Sequence, residues 1–113
     1  MEDRNPLAGP ARLESLIAYQ AGAVVSRVLV RNAGGTVTLF AFDQGQGLSE
    51  HTTPFDALVQ VLDGHAIITV GGTRHEVSAG HAILLPGGVP HALDAGSPFK
   101  MLLTMIRAGT PAA

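Results

Sequence analysis

Apolar and polar positions along this chain alternate in short bursts, and no stretch holds a helical period for long. Residues 24–30 and 36–42 are rich in β-branched and aromatic side chains, and the turn-forming stretch 32–35 lies between them. They are expected to pair as a hairpin. Residues 57–62 and 66–70 predict two more strands joined by a turn at Asp63-Gly64. Gly71-Gly72 leads into a short strand at 74–77, and Ala79-Gly80 leads into one at 81–85. Beyond Pro86-Gly87-Gly88 lie strands at 91–93 and 99–106. Leu13, Leu16 and Ile17 have helical spacing, but over so short a segment that a single helical turn and an edge strand both fit. About nine or ten short strands, with turns every 6–12 residues or so, predict an all-β barrel or sandwich. Polar residues 1–12, with Pro6, Gly9 and Pro10, read as a loose arm. Residues 13–107 read as one domain and 108–113 as a frayed tail.

The strand at 99–106 is apolar on both faces. Met101, Leu103 and Met105 share one side, Leu102 and Ile106 the other, and Thr104 is its one polar member after Lys100. Such a strand needs cover on both sides, from a second sheet or from a partner subunit, and a homodimer is expected.

Composition narrows the function. The chain has 113 residues, 46% hydrophobic and 14% charged, which suits one domain with a real core. The net charge is −2, and no cluster of Lys or Arg is present. Nucleic acid and anionic membrane surfaces are therefore not expected as partners. The absence of cysteine excludes disulfides, thiolate metal sites and cysteine nucleophiles. No apolar run is long enough to span a bilayer as a helix. The N-terminus lacks the basic start and apolar run of a secretory signal, so the cytoplasm is the expected location.

Two segments carry spacing beyond a generic β pattern. The first runs from Gly45 through His51-Thr52-Thr53-Pro54-Phe55-Asp56-Ala57 to Gly64. The second runs from Gly80 through Pro86-Gly87-Gly88-Val89-Pro90-His91. Together they resemble the two motifs of the cupin family, over about residues 36–106. Gly45, His51 and Gly64 match the first motif, and Gly80, Pro86, Gly88 and His91 match the second. The resemblance implies a double-stranded β-helix, the jelly-roll barrel. Thr53 stands where the family usually has a second metal-binding His, Ala57 where it has Glu, and Ala95 where it has Asn. His81 replaces a common acidic residue. Of four usual ligands, His51 and His91 remain.

Residues 51 and 53, two apart on a strand, are expected to share the barrel's inner face. The resemblance places His91 across from His51. Three readings of the pair follow. His51 and His91 could hold a divalent metal such as Zn, Fe, Ni or Mn, weakly and with extra waters. In a metal-free pocket, either could serve as general base or hydrogen-bond donor, with Thr53 and Gln60 orienting a small ligand. They could also be a structural pair satisfied by each other, by water or by backbone. The functional expectation is a small-molecule enzyme, oxygenase- or isomerase-like, and the alternative is a non-catalytic binding or sensing module. Asp56 and Glu50 are expected to face away from the site, and His65, His75 and His81 to be solvated or turn residues.

Overall fold

The computed structural model describes residues 6–107. A 3₁₀ turn at Leu13–Ser15 precedes eight strands: β1 Val24–Asn32, β2 Gly35–Phe42, β3 Gly47–His51, β4 Phe55–Val70, β5 Thr73–Ser78, β6 Ala82–Leu85, β7 His91–Asp94 and β8 Phe99–Arg107. The segment with helical spacing is thus a single turn. The arm expected at 1–12 lies partly outside the described residues, and the tail at 108–113 wholly so. Among the described residues no helix is long and apolar enough to cross a membrane.

One expectation is overturned. Asp63-Gly64 makes no chain reversal. The two strands expected at 57–62 and 66–70 are halves of one 16-residue strand, β4, which brings the total to eight. The register against β8 slips between Val61 and Asp63, and Gly64 adopts φ +76°. A bulge and a left-handed glycine can bend a strand as readily as they can end one. The backbone also passes so close to Pro98 that a Cβ at position 64 would collide with its carbonyl oxygen.

The bend lets β4 serve two sheets. Before it, β4 pairs antiparallel with β8 and β6; after it, with β7 and β5. One sheet runs β1-β2-β8-β4-β6 and the other β3-β7-β4-β5, and together they curl into a jelly-roll barrel. Strand alternation sends Phe42, Val59, Val61, Ile68, Leu85, Phe99 and Met101 into a common core. The Phe42 and Phe99 rings stack there with centroids 4.5 Å apart.

Part of the cover for the doubly apolar β8 comes from this chain. Leu13, Leu16, Ile17 and Tyr19 cluster with Leu39, Ala41, Leu62 and Leu102 on the outer face. Three hydrogen bonds pin this cover. Tyr19 Oη donates to Asp63 at 2.5 Å, Lys100 Nζ to the Glu14 carbonyl at 2.6 Å, and Arg27 Nη1 to the Leu16 carbonyl at 3.0 Å. Burial, and then the Asp63 bond, pushes the Tyr19 phenol well above its ordinary pKa.

Gly64→Val is expected to lower unfolding free energy by about 2–4 kcal/mol, because it combines a strained φ with a backbone clash. Ile17→Ala should cost about 2–3 kcal/mol through loss of the outer cover. Urea titration followed by circular dichroism measures both. A cost under about 0.5 kcal/mol for Ile17→Ala would show that the N-terminal segment does not seal this face.

Candidate functional site

β3 ends at His51 and β7 begins at His91, and the two stand opposite each other in the antiparallel register after an irregularity between Leu48 and His51. Their Nε2 atoms lie 3.1 Å apart, with ring centroids at 4.4 Å and planes crossed at 69°. His91 is buried at 5% exposure, whereas His51 is exposed. The pair therefore sits with one ring inside and one at the surface, a correction to the expectation that both face inward.

Backbone hydrogen bonds bring the two strand ends together. Gly88 N–H donates to the Thr53 carbonyl at 2.8 Å, and Gly87 N–H donates to Asp56 Oδ1 at 2.8 Å. Gly71 N–H donates to the Pro90 carbonyl at 2.8 Å. The Pro86-Gly87-Gly88 turn is thus clamped to the segment that follows His51, and Gly88 supplies its φ of +81°.

The outer nitrogens settle what the inner ones can do. His51 Nδ1 lies 2.7 Å from the Ser49 carbonyl, and His91 Nδ1 lies 3.3 Å from the Val89 carbonyl. A carbonyl oxygen only accepts, so each of these contacts is a hydrogen bond in the tautomer that carries its hydrogen on Nδ1. With both rings in that tautomer the Nε2 atoms are bare, and two lone pairs face each other across 3.1 Å. Such a contact calls for something positive between them, a proton or a cation. Desolvation lowers the His91 pKa, the Val89 carbonyl opposes this, and His51 adds a smaller lowering effect. The neutral form of His91 is thereby favoured, which weakens the case for a proton.

The other expected participants are placed differently. β3 stops at His51, so Thr53 lies beyond the strand on which residues 51 and 53 were expected to share a face. The Thr53 hydroxyl is engaged with Phe55, accepting from its N–H and donating to its carbonyl, both at 3.2 Å. Gln60 is exposed between the buried Val59 and Val61, so it lies on the outer face of β4 and stands apart from the pair. Ala57 and Ala95 are buried in the core. Glu50, His75 and His81 are exposed, whereas His65 is mid-strand, 2.9 Å from Glu76 and 3.2 Å from Ser78. Depressions of about 200, 180 and 120 Å³ on the surface are lined by neither His51 nor His91. The residues that sequence reasoning missed are Ser49 and Val89, each two positions before its histidine, and Asp56, which holds the turn.

A cupin domain model matches residues 38–106. The chain belongs to the cupin family. Among solved structures, a conserved protein of unknown function from Streptococcus pyogenes is 34% identical, with 91% of this chain and 90% of that one covered and a TM-score of 0.85. A cupin 2 conserved barrel domain protein from Leptotrichia buccalis is 38% identical, over 82% of this chain and 45% of that one, with a TM-score of 0.80. A cupin superfamily protein from Desulfitobacterium hafniense is 28% identical, over 89% and 93%, with a TM-score of 0.84. A comparison with curated proteins gives no match.

The cupin fold raises the question of a metal, and the donors answer it in part. Two metal–nitrogen bonds of about 2.1 Å would meet at roughly 95° across the observed 3.1 Å, an ordinary angle between neighbouring ligands. Both imidazoles are oriented by carbonyls, as metal-bound histidines usually are. The number of donors falls short: among the described residues no group of three or more His, Asp or Glu is gathered for a metal. The pair fits two positions of an ion and leaves the rest to water or ligand.

Because folding lowers the His91 pKa, the unfolded chain binds protons at this site at higher pH than the folded one. Stability should be full above about pH 6.5 and fall as pH drops from there through the folded value. The metal-free protein is expected to lose Tm between pH 7.5 and 5.5, with a shallower loss in His91→Gln. Equal slopes would show that His91 does not drive the change. Asp56→Ala should cost about 1–2 kcal/mol by leaving Gly87 N–H without its acceptor, and Asp56→Asn less, since an amide oxygen can still accept.

Proposed function

We propose that this cupin takes a divalent cation between His51 and His91 and uses the remaining positions around it to hold a small organic molecule. The observation that carries this reading is the facing pair of bare Nε2 lone pairs, 3.1 Å apart, with both Nδ1 atoms committed to carbonyls. Imidazole donors suit Zn, Fe, Ni and Mn to differing degrees. With two protein ligands the affinity is modest. When bound, the cation would polarise a carbonyl or carboxylate oxygen of the molecule it holds, the kind of assistance that oxygenase- or isomerase-like reactions use.

The chain's own residues supply the rest. Ser49 and Val89 fix the rings, and Asp56 with Gly87 and Gly88 fixes the separation of the two strands. His51, being exposed, gives the molecule its way in. Thr53 lies just beyond β3, where it could meet the far side of a bound molecule if its hydroxyl left Phe55. A second reading is a non-catalytic binding or sensing module, and the two-donor set is the observation that favours it. Both readings are compatible with a homodimer, because the outer face of β8 is only partly covered by the chain itself.

Calorimetry and metal analysis of protein stripped and then loaded with Mn, Fe, Ni or Zn test the proposal. About one equivalent per chain is expected. His51→Ala and His91→Ala should each weaken binding at least 30-fold, roughly 2 kcal/mol. In the metal-free protein, nitrogen NMR should show both rings protonated at Nδ1. Failure of the wild type to bind any of the four metals, or unchanged affinity in both variants, would refute the cation site. A thermal shift with a small molecule and no product would then favour the binding module.

A further inference from the structure

At the rim of the barrel, where the β1–β2 hairpin meets the end of β8, the inner face of the sheet is left open. Thr36 stands opposite Met105, and Met105 opposite Ala57. Ala57 is buried in the core, so this row faces the barrel interior. Two residues further along each strand, and therefore on the same face, Arg107 stands opposite Phe55. Asn32 and Ala33 of the hairpin turn join Thr36, Phe55, Met105 and Arg107 in lining a cavity of about 200 Å³.

Its walls and its polar groups divide cleanly. Phe55, Met105 and Ala33 are the apolar surface, and the polar side chains present donors. Asn32 Oδ1 accepts from Gly34 N–H at 2.8 Å, which leaves the amide Nδ2 to donate. Arg107 Nε donates to the Ala33 carbonyl at 3.2 Å, and its main-chain N–H to the Gly34 carbonyl at 2.9 Å. The guanidinium is thereby held at the turn by one edge. Its two Nη groups have no partner among the described residues, and neither has the Thr36 hydroxyl. No carboxylate lines the cavity, and a second arginine, Arg31, stands opposite Thr36 across the hairpin.

An apolar pocket with a few convergent donors suits a molecule that has an apolar body and a head that only accepts. We propose that this pocket binds a small monocarboxylate, its head held by the two Nη groups of Arg107 and its body lying against Phe55 and Met105. A carboxylate is planar and matches the guanidinium fork with two parallel hydrogen bonds. Asn32 Nδ2 and the Thr36 hydroxyl are the donors for its remaining lone pairs. An apolar cavity of about 150 Å³ is large enough for benzene, so this one has room for a body of about six to eight carbons. Neither His51 nor His91 lines the pocket, so the carboxylate site and the cation site stand or fall separately.

Benzoate and hexanoate, titrated into the metal-free full chain and followed by calorimetry and amide NMR, test the proposal. Each should bind with a Kd of about 1 mM or tighter, with shifts centred on residues 32–36, 55 and 105–107. Benzamide has the same body without the charge, and inorganic phosphate has charge without the body; each should bind at least about 10-fold more weakly than benzoate. Arg107→Gln should bring benzoate down to the level of benzamide and leave benzamide unchanged, a pattern that a merely structural role for Arg107 would not produce. Thr36→Val, which keeps the side-chain shape, should weaken benzoate about 3-fold or more. His51→Ala should bind benzoate as the wild type does. A wild type that binds neither acid at about 10 mM overturns the proposal. So does equal affinity for benzoate and either benzamide or phosphate, indifference to both Arg107→Gln and Thr36→Val, or loss of binding in His51→Ala.

Discussion

The architecture turns on one strand that belongs to two sheets. β4 pairs with β8 and β6 before its bend and with β7 and β5 after it, so the barrel closes only if the bend holds its angle. That angle rests on a bulge near Val61 and on a glycine pressed against the Pro98 carbonyl. Local backbone sterics at one residue thus set how the two halves of the core meet. The same strand sets the site, because β7 takes its register from the second half of β4 while Asp56, in the first half, grips the turn that leads to His91.

Within that frame, orientation matters more at the histidine pair than proximity. Two imidazoles in contact would be unremarkable if one could donate to the other. Here the carbonyls of Ser49 and Val89 favour hydrogens on the far side of each ring. The electrostatic demand created between the rings is the site's chemical content. Burial of His91 sharpens that demand by disfavouring the added proton that would otherwise relieve it.

Much of the barrel was legible in the sequence, because period-two alternation and turn residues report directly on half-buried strands. β1, β2, β5, β6, β7 and β8 fall within a residue or two of the expected segments. The family resemblance carried by Gly45, His51, Pro86, Gly88 and His91 also implied the pair that meets. The misses have physical causes. Asp-Gly serves a tight turn and a strand bend equally well, and only the tertiary approach of Pro98 decides between them. Thr53 was assigned a face on the assumption that its strand continued, but β3 stops at His51. Gln60 could have been placed by the buried valines on either side of it, since alternation turns it outward. The partial cover over Leu102 was invisible, because a lone turn at Leu13–Ser15 does not announce what it packs against.

Each ring of the pair takes its carbonyl from two positions upstream in its own chain segment. Aim is therefore written into two tripeptides, and the barrel contributes only the distance between them.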